Sequence, residues 1–212
     1  YGKPLPWDEV SKIFPRYTTA ILTDVETGKK FEVVRRGGTY HADIQPVTSK
    51  DTQVLKELYP YGWSWKRRAV TAQIGMEVAA ASINGMPHGS GKIQVNEFKG
   101  HFCIHFKDSR VHLSRKVDLA HQMMVWKAAG QPLEPFSKAG PKEVVDLVFT
   151  ALNQDDPGLA ALGITSGFQE DLWLVMEKIN HHLPQIDLKR LSAKKTEEDN
   201  PDLATYNVVL KL

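Results

Sequence analysis

The sole cysteine of this 212-residue chain, Cys103, stands between two histidines in Gly100-His101-Phe102-Cys103-Ile104-His105. In an extended segment side chains repeat every second residue, so positions 101, 103 and 105 share one face and the thiol lies between two imidazoles. An imidazole beside a thiol lowers its pKa or takes its proton, and the thiolate is the nucleophile, so this order of residues suits covalent acyl transfer. His88 adds a third imidazole from NGMPHGSGK, an irregular loop free to aim it. A single histidine on a strand, or a single small thiol, ordinarily packs a core. Here five of the eight histidines (His41, His88, His101, His105 and His112) fall in or near the same β-rich stretch as the only thiol, which points to a site.

Further polar groups bear on that site. In His41-Ala42-Asp43 the carboxylate of Asp43 either holds an imidazole on the same side or bonds its own backbone in a turn. Arg67 and Arg68 flank an expected strand, and a guanidinium fork grips a carboxylate at two points; their plainer role is as solvated edge charges that discourage strand pairing. Gly89-Ser90-Gly91-Lys92 is not a phosphate loop, because the first glycine is missing at the required spacing and Ile93 stands where Ser or Thr would meet magnesium. His181-His182, at an expected helix end, complements the helix dipole.

His88-Gly89, fifteen residues ahead of Cys103, with His101 two before the cysteine and the apolar Ile104 just after it, resembles the signature of the L,D-transpeptidases, the YkuD-like enzymes of bacterial peptidoglycan. Gly100, Phe102 and His105 stand where that family usually has Ser or Thr, Gly, and Arg or Asn, which marks a divergent relative. The resemblance covers residues 17–130 and implies a mainly β sandwich. It implies Cys103 as nucleophile, His88 as its base, and His101 as a group that orients substrate or stabilises the oxyanion. It puts His105 in the place of the Arg or Asn, as a ligand for a substrate carboxylate when protonated. Gly89, Arg67, Arg68, His41 and Asp43 complete the candidate substrate-binding set. The implied reaction is attack on a stem-peptide carbonyl, release of the terminal D-alanine, and transfer of the acyl group to an amine or water, with no metal or organic cofactor. The implied partner is the peptidoglycan stem peptide, and the implied location is extracytoplasmic, at the cell wall or surface.

Two alternatives stand beside this reading. His41, Asp43, His101 and His105 offer nitrogen and oxygen ligands of the kinds zinc accepts, as in a peptidoglycan metallohydrolase, although no general-base carboxylate neighbours a ligand histidine as in HExxH enzymes. Otherwise the histidines and cysteine pack a β core or line the groove of a non-catalytic cell-wall binding protein.

The elements that must position these groups are those of an α+β protein. Lys and Arg number 27 against 25 Asp and Glu, a net charge of +2, without the concentrated basic excess that nucleic-acid binding displays. No apolar run approaches the ~20 residues of a membrane-spanning helix. Residues 1–16, with Pro4, Pro6 and Pro15, read as a linker docking through Trp7 and Phe14. A hairpin follows, turning at Glu26-Thr27-Gly28-Lys29. Ser49 is placed to cap a short helix presenting Val54, Leu55 and Leu58. Strands are expected in WSWKRRAVTAQI and EVAAASINGM, joined at Gly75-Met76, and in HFCIHF. A helix beginning near Lys116, with Leu119, Met123 and Trp126 on one face, closes a first domain at 17–130. A Gly- and Pro-rich linker at 131–140 leads to a small α+β domain at 141–212. That domain has helices in PKEVVDLVFTALNQ and FQEDLWLVMEKINHHL and a strand in ATYNVVLKL, and is loosely similar to the start of an NTF2-like cone.

Overall fold

Alternation of β-branched and aromatic residues with polar ones makes Thr19–Asp24 (β1) and Lys30–Gly37 (β2) the expected hairpin. Its turn uses Gly28 at φ +69°. Asp24 fastens it by accepting hydrogen bonds from the Thr27 amide (2.9 Å) and hydroxyl (2.8 Å). The computed structural model describes residues 1–112, 114–164, 190–195 and 206–211. The chain forms two units, Tyr1–Pro132 and Leu133–Leu212.

In the first unit β2 is followed by Ala42–Pro46 (β3), Arg67–Ile74 (β4), Glu77–Asn84 (β5) and Phe102–His105 (β6). Every pairing is antiparallel, and the order β1-β2-β3-β6-β5-β4 closes on itself. A single closed barrel thus stands where two facing sheets were expected. The short β6 bridges β3 and β5, and β4 returns to β1, so each of the six strands has a neighbour on both sides. Leu22, Val33, Ile44, Val70, Ile83 and Ile104 fill the core.

The opening sixteen residues are part of this unit and not a linker. Trp7–Ile13 forms a helix (α1), and Trp7, Val10 and Phe14 are buried in the core. The backbone of Lys3 adds to β5, donating to Val78 O and accepting from Ala80 N, both at 2.8 Å. The short helix Ser49–Leu58 (α2) is capped by Thr48, not Ser49. Thr48 Oγ1 accepts from the Asp51 amide at 3.2 Å while the Asp51 carboxylate accepts from the Thr48 amide at 2.9 Å, a reciprocal box that satisfies two orphan donors. Leu119–Ala128 (α3) packs on β4, β5 and β6. Its buried face is Ala120, His121, Met123, Met124, Val125 and Ala128, whereas Leu119 is exposed. The expected apolar face is therefore rotated, so that His121 points at the barrel wall.

In the second unit, Glu134–Ser137 (α4) lies inside the stretch expected to be a linker. Pro141–Asn153 (α5) starts with proline at its first position. Pro157–Ala161 (α6) and the antiparallel hairpin Arg190–Lys195 (β7) with Tyr206–Lys211 (β8) follow. The helix expected at 168–183, with His181-His182, lies outside the described residues. Among the described residues no helix is long and apolar enough to cross a membrane.

Candidate active site

The pleat of β6 decides which residues can react. Phe102, Ile104 and Phe106 belong to the barrel core, so His101, Cys103 and His105 face outward, as the alternation predicts. In register, Asp43 of β3 stands opposite Cys103, and Ser82 of β5 opposite His105.

Two glycines clamp the His88 loop to the start of β6. His88 and His101 exchange backbone hydrogen bonds, each 2.9 Å. Gly100 has φ +84°, and a Cβ there would stand 2.4 Å from the His88 carbonyl oxygen. Gly89 has φ +58°, and its Cβ would stand 2.4 Å from His101 Cε1. Only glycine permits this approach, so Gly89 serves the site by letting two imidazoles close up.

The clamp brings His88 Nε2 to 3.2 Å from Cys103 Sγ. His88 Nδ1 lies 2.8 Å from the Met86 carbonyl oxygen. A carbonyl only accepts, so Nδ1 carries the ring proton and Nε2 offers its lone pair to the thiol. Trp65 leans on the His88 ring with centroids 5.0 Å apart, and His101 meets it edge-on at 4.5 Å. Cys103 is 5% exposed. Burial, and then the carboxylate of Asp43, push its thiol up, with Arg67 pulling the other way. Burial likewise holds His88 below the ordinary histidine value. The resting pair is a neutral thiol beside a neutral imidazole base.

Asp43 faces imidazoles and not its own backbone. Its Oδ1 lies 3.5 Å from His41 Nε2, 3.8 Å from His101 Nε2 and 3.5 Å from His112 Nε2. Although burial opposes it, these rings hold the carboxyl at about 2. His41 Nδ1 meets Arg110 O at 2.8 Å, and His101 Nδ1 meets Ser90 O at 3.0 Å, so both also direct Nε2 inward. Behind the sulfur runs a stack: His41 on His105 (4.2 Å between centroids), His105 on His121 (3.7 Å), and His121 Nδ1 against Ser82 Oγ at 2.8 Å.

The expected roles of two residues change. His105 is 2% exposed and sandwiched between rings, and burial, with like charges beyond it, keeps its pKa well below the histidine value. It is neutral and enclosed, and does not present a cation to a substrate carboxylate. Arg68 lies across the β4 pleat from Arg67. It pairs with Asp24 at 2.9 and 3.0 Å and with Glu26 at 2.9 Å, and so is taken up by the β1 hairpin. Arg67 stays beside the site, donating to Asp118 (2.9 Å) and to Trp65 O (2.8 Å). The suggested zinc set His41, Asp43, His101 and His105 does not converge. The described groups that do are His41, Asp43 and His112, and His41, Cys103 and His105, each with ligand atoms within 4.8 Å of one another.

Beside the clamp, Gln94, Glu97, Phe98, Lys99 and Gly100 border a cavity of about 430 Å³, within the range of small-ligand sites. Sequence reasoning overlooked Trp65, the Met86 carbonyl and His121. Of these only His121, a lone histidine among the apolar residues of VDLAHQMMVWKAA, left a signal in the sequence. No family model, curated protein or solved structure matches the chain.

Proposed function

We propose that the protein is a cysteine acyltransferase acting on peptidoglycan stem peptides, a divergent counterpart of the L,D-transpeptidases with Cys103 as nucleophile and His88 as base. The observation that carries this reading is His88 Nε2 at 3.2 Å from Cys103 Sγ with Nδ1 anchored on Met86 O. This is the nucleophile, base and orienting group of acyl-transfer sites.

As Sγ attacks the carbonyl carbon, its proton passes to His88 Nε2. The resulting imidazolium keeps its Nδ1–H on the Met86 carbonyl. Collapse of the tetrahedral adduct breaks the C–N bond, and the proton moves from Nε2 to the departing amine of D-alanine, leaving a thioester. An amine or water then attacks the thioester and returns the proton to the thiolate. In this reading the cavity that Gly100 borders would receive the donor peptide, with Lys99 to meet its carboxylate. Such a role puts the protein outside the cytoplasm.

The test is incubation with a stem tetrapeptide ending in D-alanine, read by intact-protein mass spectrometry. A thioester adduct should form on the wild type and be absent from Cys103→Ala. No adduct at any pH between 6 and 9 would refute the proposal.

A further inference from the structure

We propose that His41, Asp43 and His112 form a binding site for a divalent metal ion of the zinc class. His41 Nε2 and His112 Nε2 each stand 3.5 Å from Asp43 Oδ1, and the ligand atoms of the three residues lie within 4.8 Å of one another. That spacing is long for a hydrogen bond. It is close to the ligand-to-ligand edge of about 3.3 Å that tetrahedral zinc sets with bonds of about 2.0–2.1 Å.

The state of His41 points the same way. The residue is 2% exposed. Its Nδ1–H is given to Arg110 O, and its Nε2 is buried without a hydrogen bond. In this tautomer an inward lone pair faces an anionic oxygen, and a cation between them, a proton or a metal ion, satisfies both. A backbone carbonyl on the far nitrogen is the outer contact that orients metal-ligating histidines. That carbonyl is fixed in turn, because Arg110 N donates to Tyr40 O at 2.9 Å, immediately before His41. Three protein ligands leave a fourth position open.

The ion would adjoin the thiol, since Cys103 Sγ lies within 4.8 Å of a His41 ring nitrogen. The binding does not depend on the acyl-transfer reading.

The test uses the full, untagged chain freed of metal. Titration with Co²⁺ should give visible d–d absorption saturating at one equivalent, and Zn²⁺ should displace it. His112 is half exposed, so His112→Ala keeps the fold and should weaken binding more than about tenfold; Asp43→Asn should do the same. Cys103→Ser should still bind Co²⁺ while losing any acyl adduct, which separates this proposal from the catalytic one. Absence of Co²⁺ uptake, or equal affinity in wild type and His112→Ala, overturns the site.

Discussion

Asp43 and Cys103 face each other across the β3–β6 pair, so a carboxylate that stays ionised to about pH 2 stands next to the sulfur that the proposed reaction would make an anion. After burial, that carboxylate is the main influence holding the thiol in its protonated form. Asp43→Asn should therefore move the midpoint of the alkylation-rate profile to lower pH by on the order of one unit. Arg67→Ala should move it upward. Both are read in chelator-treated protein from iodoacetamide rates between pH 6 and 10, and a midpoint unmoved by Asp43→Asn would contradict the assignment.

His88 sits on a partly exposed loop, and its loss removes the proposed base without opening the core. His88→Ala should lower the rate of adduct formation by about 10²–10⁴ while leaving the urea midpoint near that of the wild type. Wild-type acylation by this variant would assign the proton to another group.

Arg68 shields Asp24, which is 1% exposed. Taking away one partner of a buried ion pair leaves an uncompensated charge, at a cost of about 3–5 kcal/mol, so Arg68→Met should sharply lower the urea midpoint at pH 7. In the wild type Asp24 is held below the ordinary carboxylate value; burial opposes this and Arg68 overcomes it. That stabilisation is present above pH ~3.9 and lost as the pH falls through the depressed folded value. In Arg68→Met the dependence should reverse, with part of the lost stability recovered as Asp24 takes up a proton in acid.

The stacked His105 and His121 are both kept neutral, by burial first and by neighbouring cations second. In the unfolded chain each binds a proton near pH ~6.5. The unfolded state then holds more protons, and stability should fall by about 1.4 kcal/mol per pH unit for each histidine below that point. Asp43 adds to the loss between pH ~4 and about 2, on the order of 2 kcal/mol. Urea unfolding at pH 7.5, 6.0 and 5.0 measures the slope. A flat profile would mean that the two rings are not enclosed in solution.

Legibility in the sequence followed the range of the forces involved. The hairpins turning at Gly28 and Gly75 were visible because turn chemistry and alternation act over a few residues. The short strand β3 was hidden, since TYHADIQPV has weak alternation and becomes a strand only by pairing with both β2 and β6. The prolines of residues 1–16 suggested a linker, yet Trp7, Val10 and Phe14 are buried in the core, a packing effect that propensity does not register.

For the site, the period of two along β6 was enough to put residues 101, 103 and 105 on one face, and the proline and glycines around His88 were enough to make it a loop residue. Which imidazole touches the sulfur was settled only by folding. Two left-handed glycines, eleven residues apart in the chain, let the His88 loop lie flat on the start of β6, and so His88, not His101 or His105, meets Cys103. Barrel closure then brought residue 41 against residue 105, and α3 laid residue 121 upon that ring. Contacts between such distant segments depend on how the elements stack, and local residue order carries no record of that.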